Sequence, residues 1–419
     1  MRDGTTSAKE TARSRAAERD LGRLGVTTVP DRWKLSTVGK ACTIRNDLRL
    51  PLSVETRAVM QGEYPYYGPT GILDYIGEFR AEGEFALIGE DGDHFLDTEK
   101  KSQTVRVSGR FNVNNHAHLI ASGKSCAVDW FFQFFRHRDI SHSLTRQGAG
   151  RYKLTKQALE KLPILLPTLP EQRKIAAILR TWDEALEKLT ALRAAKARRL
   201  EGIAQQLLAP SRAIGRGVPQ SNWASSSFGE VFKERKDKNA GLSSDDVVTV
   251  GKYAIRKQSE HFTRSVASKD LSNYWTISPG DFVYDPMSAY YGAIGRYSGS
   301  ADGIVSPAYR VIKLSPDVDP KFMVALLRTH HIRFLLETRS SQGNKEGKRR
   351  LLQRDEFESI EFKLPSREAQ REIAAKLAVF RGDLELTERE IEALTRQKRG
   401  LMQKLLTGEW RVNSEKELV

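Results

Sequence analysis

Cysteine is scarce. Cys42 and Cys126 are the only two in 419 residues, which excludes a disulfide framework and a Cys-rich zinc site. No stretch approaches the ~18 consecutive apolar residues that a membrane-spanning helix needs. The opening MRDGTTSAKETARSRAAERD carries no apolar run of the secretory kind. By exclusion the sequence predicts a cytoplasmic protein with no membrane partner. Acidic side chains are the minority charge: 53 Asp and Glu stand against 68 Lys and Arg, a formal net charge of +15. That excess favours a polyanion, nucleic acid first; the plain alternative is a solvated basic surface. At about 150 residues per domain, the length suggests two to three domains.

What the sequence does have is a long internal repeat. Leu166-Pro167 with Gln172-Arg173 and Ile175-Ala176-Ala177 matches Leu364-Pro365 with Gln370-Arg371 and Ile373-Ala374-Ala375, and the match continues without a gap to Leu208 and Leu406. Both copies read as helices of about 37 residues, roughly 55 Å long. A seven-residue seam, apolar except for Arg193 and Thr387, runs along each. The first has Ile175, Leu179, Trp182, Leu186, Leu189, Arg193, Leu200, Ile203 and Leu207; the second has Ile373, Leu377, Phe380, Leu384, Thr387, Ile391, Leu394, Leu401 and Leu405. Thr168 and Glu171 form a capping-box pattern with Pro170 in the first turn, Pro210 stops the first helix, and Gly408 follows the second. So narrow a stripe suits one partner helix. Paired antiparallel with Ile175 facing Leu405, every seam position meets a seam position. Arg193 then faces Thr387, Lys398 faces Trp182 with room for a cation–π contact, and Lys196 must lift its head past Leu384. The alternative is two independent helices, each packed on its own domain.

Two segments of similar frame and different content surround the first helix. Val29-Pro30 with Trp33 and Val38-Gly39 opens one; Val218-Pro219 with Trp223 and Phe228-Gly229 opens the other. Gln147-Gly148 and Gln342-Gly343 precede the return to the helix. Period-two patches at Ser102–Ser108 and Ala308–Leu314 predict strands. The fold class is α/β (α+β), ordered as globule, long helix, globule, long helix. The boundaries are 1–28 for an N-terminal extension, 29–165 for the first globule, 166–210 for the first long helix, 211–363 for the second globule, 364–411 for the second long helix and 412–419 for a tail. Residues 1–28 fit either an amphipathic helix around Ala8–Leu24 or a disordered extension.

Catalytic patterns are not found. Asp285-Pro286-Met287-Ser288 lacks the second proline and the stacking aromatic of an adenine-methyltransferase loop, and reads as a turn. Gly343 and Gly347 stand one residue too close for a phosphate loop, and Arg349 replaces its Ser or Thr. Glu361-Phe-Lys363 is half of a nuclease pair with no upstream aspartate. His116 and His118 share a strand face but have no nearby third metal ligand. Binding of DNA needs cations for phosphates and amide, hydroxyl or guanidinium groups for base edges. The candidates are Tyr64, Tyr66, Tyr67 and Thr70 in a Gly/Tyr-rich turn; Asn112, Asn114 and Asn115; Tyr290 and Tyr291; and the basic residues Lys345, Lys348, Arg349 and Arg350, echoed by Arg146 and Arg151.

The chain resembles the specificity subunits of type I restriction–modification enzymes. The resemblance rests on Tyr64–Tyr75, Phe111–His118, Gly303–Arg310 and both Leu-Pro…Gln-Arg…Ile-Ala-Ala helix starts, and covers about residues 29 to 411. It implies two target-recognition domains, each reading one half of a split site in double-stranded DNA, with the helices as an antiparallel coiled-coil spacer. It also implies two methyltransferase subunits that bind S-adenosylmethionine, motor-nuclease subunits that use ATP and Mg, and no cofactor or catalysis in this chain. The rival classes are a stand-alone DNA-modifying enzyme and a protein-only coiled-coil scaffold.

Overall fold

Two helices of 40 residues each, Leu169–Leu208 and Arg367–Leu406, organise the protein in a computed structural model. The structure describes residues 4–147, 151–208, 223–241, 244–258, 270–342 and 350–413, with side chains from residue 14 and not at 147, 151 and 342. Both helices are rich in Ala, Leu, Glu, Lys and Arg, good helix formers, and neither has an interior proline. Pro210 lies outside the described residues. Gly408, with φ of +74°, ends the second helix in the left-handed conformation that glycine tolerates. The chain divides into two compact units, residues 1–189 with 390–419 and residues 190–389, so each unit takes half of each long helix.

In the first unit, Lys34–Thr37 pairs antiparallel with Pro163–Leu166, closing the globule where it joins the helix. Above that ladder stands a six-stranded sheet in the order Thr43–Ile44, Ala117–Ala121, Ala81–Gly89, Thr104–Val113, Gln61–Tyr67, Ile72–Ile76. Its one parallel pairing joins Gln61–Tyr67 to Thr104–Val113. Helix Val128–Phe135 buries Trp130, Phe131, Phe134 and Phe135 in a core shared with Leu165, Ile175, Leu179, Met402 and Leu405. The N-terminal segment forms helix Gly4–Arg23, and Leu21 and Leu24 join the same core.

The second unit repeats this frame. Ala224–Ser227 pairs antiparallel with Glu361–Leu364. The sheet above is four-stranded, in the order Phe232–Arg235, Arg310–Leu314, Phe282–Tyr284, Ile294–Arg296. Helix Pro320–Leu327 plays the part of Val128–Phe135, burying Phe322, Met323 and Leu326 against Ile373 and Leu377. The recurring Val38-Gly39 and Phe228-Gly229 have a steric cause. A Cβ on Gly39 would stand 3.0 Å from Glu160 Cβ, and one on Gly229 would stand 3.0 Å from Glu358 Cβ. The repeated glutamines explain the helix starts. Gln172 and Gln370 are buried, donate to the Pro167 and Pro365 carbonyls at 2.9 Å, and accept from the Ala127 and Asp319 amides at 2.8 and 2.7 Å. Each therefore bolts its long helix to the N-terminus of the short helix that covers the core.

The long helices run antiparallel within each unit, and the near-neighbour contacts fit the register with Ile175 facing Leu405. In the first unit Ile175, Leu179 and Leu405 are buried, while Trp182, Leu186, Leu189, Ile391, Leu394 and Leu401 are half-buried. In the second, Ile373, Leu377 and Thr387 are buried, and Leu200, Ile203, Leu207, Phe380 and Leu384 are half-buried. The polar seam differs in detail from the expectation. Arg193 is exposed and pairs with Glu388 at 2.7 Å, while Thr387 accepts from Lys196 at 2.9 Å. Lys196 also pairs with Asp383 at 2.7 Å. Lys398, 5% exposed, pairs with Asp183 in place of the expected contact on Trp182. A buried ammonium requires a counter-charge, which a ring face supplies only weakly. Glu171 forms no capping box with Thr168. Its buried carboxylate accepts from Trp33 Nε1 at 3.3 Å and from Arg411 at 2.9 Å.

Candidate nucleic-acid interface

The sequence candidates of the first unit divide into surface and interior. Tyr66 is fully buried; its hydroxyl donates to the Leu50 carbonyl at 2.7 Å and accepts from the Leu52 amide at 3.0 Å. Asn112 is also fully buried and donates to the Glu78 carbonyl at 2.6 Å. Asn114, 7% exposed, accepts from the His116 amide at 2.9 Å. These three are corrections to the sequence reading. Alternation along a strand sends every second side chain into the core, and a short motif does not show which ones. Tyr64 and Tyr67 are half-buried, and Thr70 and Asn115 are exposed. Tyr64 lies against Phe79, with ring centroids 5.1 Å apart, and Arg110 covers Phe79 at 4.7 Å. Ile72, Leu73, Tyr75 and Phe79 are exposed along the same hairpin, a patch for which the sequence carried no signal.

Arg146 projects from a second hairpin, Thr145–Gln147 with Arg151–Lys153, and lies over the Tyr152 ring at 5.6 Å. The Arg151 side chain is outside the described residues. A charged cluster anchors this hairpin. Glu90 pairs with Arg49 at 2.8 Å and Lys153 at 3.2 Å, and its carbonyl accepts from the Leu154 amide at 2.7 Å. His118 Nδ1 accepts from Arg49 at 2.6 Å and from Asn46 at 2.9 Å, so Nε2 carries the proton and donates to the Leu154 carbonyl at 2.8 Å. Burial, with the charges of Arg49 and Lys153, pushes the His118 pKa down and favours this neutral ring. His116 pairs with Asp91 at 2.7 Å. Both imidazoles are engaged within the fold, and among the described residues no group of three or more His, Cys, Asp or Glu is set to hold a metal.

The second unit carries the matching hairpin, Ser341–Gln342 with Arg350–Leu351. Here the Leu352 amide donates to the Pro286 carbonyl at 2.9 Å, as Leu154 does to Glu90. Tyr290 and Tyr291 occupy a short turn, with Tyr291 exposed and Tyr290 half-buried. Arg350 covers Tyr290 at 5.5 Å and pairs with Glu337 at 3.1 Å. Asp285 holds the turn by accepting from the Met287 amide at 2.9 Å. Lys345, Lys348 and Arg349 lie outside the described residues. Each unit thus presents a hairpin with an arginine stacked on a tyrosine, a pairing suited to phosphate contact and base stacking. Glu90 and Arg49, which set the first hairpin, escaped sequence reading because they meet only through the fold.

Residues 30–196 match the family model described as the type I restriction modification DNA specificity domain. A protein of Haemophilus influenzae described as a type I restriction enzyme specificity subunit is 33% identical over 158 residues, 38% of each chain. The EcoprrI type I restriction enzyme specificity subunit of Escherichia coli is 26% identical over 127 residues, 30% of each. The matches therefore span about a third of those relatives. The crystal structure of a type I restriction–modification S subunit from M. genitalium has a TM-score of 0.56 at 14% identity, covering 89% of this chain and 96% of that one. A chain from a structure of type I restriction–modification complex assembly has a TM-score of 0.52 at 16% identity, covering 91% and 100%. Residues 30–196 are thus similar to the type I restriction modification DNA specificity domain, and the fold is shared with type I restriction–modification S subunits along nearly the whole length.

Proposed function

We propose that this chain reads DNA sequence for a type I restriction–modification complex and performs no catalysis itself. Residues 29–165 and 211–363 act as two target-recognition domains, each reading one half of a split site. The two long helices set the gap between half-sites and dock two methyltransferase subunits. Motor-nuclease subunits join the same assembly. S-adenosylmethionine, ATP and Mg belong to those partners. The exposed candidates Thr70, Asn115, Arg146 and Tyr291 and the half-buried Tyr64, Tyr67, Tyr290 and Arg350 are assigned to the DNA-facing side, with Arg151, Lys345, Lys348 and Arg349.

The observation that carries this reading is a repeated frame bearing unlike sheets. Both units share the closing ladder, the glutamine bolt and the hairpin, yet among the described residues the main sheet of one has six strands and that of the other four. A repeated mount with different contents suits two readers of different sequences. Linked readers gain affinity only when their separation fits the site. The test inserts four residues after Leu189 and four after Glu390, adding about one turn, ~6 Å, to both helices at facing positions. Mapping of methylated adenines in cells should give a longer gap with unchanged half-sites. An unchanged gap refutes the spacer, and changed half-sites would mean that the helices read bases.

A further inference from the structure

In the first unit, Arg136 at the C-terminal cap of Val128–Phe135 reaches Asp183 on the first long helix, at 2.7 Å to both oxygens. Lys398 on the second long helix pairs with the same carboxylate, and Gln133 donates to it at 3.2 Å. One carboxylate thus binds three donors where three helices meet.

The repeat identifies the equivalent place in the second unit. The gapless helix match carries Asp183 onto Arg381 and Lys398 onto Leu200. The glutamine bolts align Ala127 with Asp319, which carries Arg136 onto Arg328, again at a helix C-terminal cap. The arginine is kept, the lysine has become leucine, and the carboxylate has become a second arginine. A pocket of about 280 Å³ opens there, lined by Arg328 and Arg381 with Leu200, Ala204, Leu377 and Leu384. Arg328 donates to the Tyr253 carbonyl at 3.2 Å, and no ion pair is found for it among the described residues. Burial and the charge of Arg381 push its pKa down. Arg381 has no hydrogen-bond or ion-pair partner among the described residues. Glu201 also lines the pocket, but His330 engages its carboxylate at 3.3 Å.

We propose that this pocket receives the carboxylate of an Asp or Glu side chain presented on a helix of a partner protein. Two guanidinium groups that line one pocket with no acid paired to either repel, and a carboxylate bound by both gains charge-assisted, fork-like hydrogen bonds. The apolar floor favours a protein side chain over a duplex phosphate, because Leu200, Leu377 and Leu384 can be covered by the apolar neighbours of an acid on a helix. The choice of a methyltransferase subunit as the partner to test rests on the function proposed above.

Arg381→Asp in the full chain writes the first unit's residue into the second. The internal carboxylate should pair with Arg328, raise Tm by about 3 °C, and abolish the Tm gain that sodium acetate gives the unaltered chain over sodium chloride. It should weaken attachment of a methyltransferase subunit by at least about tenfold, ~1.4 kcal/mol. Glu201→Gln tests the pocket's own acid: an unchanged Tm supports the proposal, and a lower Tm with a larger acetate gain would make Glu201 the internal counter-ion and overturn it. Persistence of the acetate gain in Arg381→Asp overturns the site. Loss of that gain with unchanged subunit attachment overturns the protein partner, and weakened duplex binding in its place reassigns the pocket to DNA. If the unaltered chain attaches no methyltransferase subunit, the proposed function fails, and the acetate arm still decides whether the pocket binds a carboxylate.

Discussion

Asp183→Ala should be one of the most damaging single substitutions in the first unit, and the reason is the company it leaves behind. Lys398 is 5% exposed, and the Arg136 side chain is 22% exposed. Removing the acid strands both cations. Breaking a buried pair costs about 3–5 kcal/mol, but Asp183 keeps 26% of its side-chain exposure, so water relieves part of the loss. We expect about 3 kcal/mol, which for a unit of this size lowers Tm by roughly 6–12 °C. Lys398→Leu should cost less than about 1 kcal/mol, since an apolar residue can replace a buried charge at little cost and Leu200 holds the equivalent position in the second unit. The double variant should then be more stable than Asp183→Ala by about 1–2 kcal/mol, a coupling that a double-mutant cycle isolates. Calorimetry of the full chain measures all three. Burial pushes the Asp183 carboxyl up, but the charge of Arg136 and the hydrogen bonds from Lys398 and Arg136 outweigh it and hold the pKa below the ordinary value. A carboxyl depressed in the folded state stabilises above its unfolded pKa and loses that contribution as pH falls through the folded one. The gap between the unaltered chain and Asp183→Ala should therefore narrow below about pH 4. A double variant no more stable than Asp183→Ala, or a gap that does not change with pH, would show that stranded charge is not the cause.

Two further outcomes follow from the site. Tyr66→Phe leaves the Leu50 carbonyl and Leu52 amide without their partner, so stability should fall by about 1–2 kcal/mol while the methylated half-sites stay the same; an altered half-site would return Tyr66 to the DNA-facing side. Changing Lys348, Arg349 and Arg350 together to Gln should weaken binding to all sequences. It should also flatten the dependence of log K on log salt by about 0.9 for each phosphate that is no longer neutralised; gel shifts at low and high salt that match the unaltered chain would make the cluster a solvated loop.

Much of the frame was legible because it is local or repeated. The apolar seam needs only a 3.5-residue period, and the gapless repeat meant that the seam and the glutamine at one helix start would recur in the other. The base-facing residues were less legible. Tyr64, Tyr66 and Tyr67 lie within four positions of one another, yet Tyr66 alone is fully buried, because a register-shifted strand pairing with Ile72–Ile76 sets the faces. The seam predicted Lys398 opposite Trp182, and the adjacent Asp183 takes it instead. That choice depends on Arg136, which arrives from a helix some fifty residues away in the chain and shares the carboxylate.

The amino-acid sequence alone determined the order of globule and long helix, the antiparallel pairing and the basic charge, since period, repetition and composition act without knowledge of distant neighbours. The tertiary structure decided which polar side chains face out and which are consumed inside. It also decided what the repeated glutamines do and where a carboxylate present in one unit is missing from the other. Those outcomes turn on desolvation and hydrogen bonding between segments far apart in the chain, and such energies exist only once the segments have been brought together.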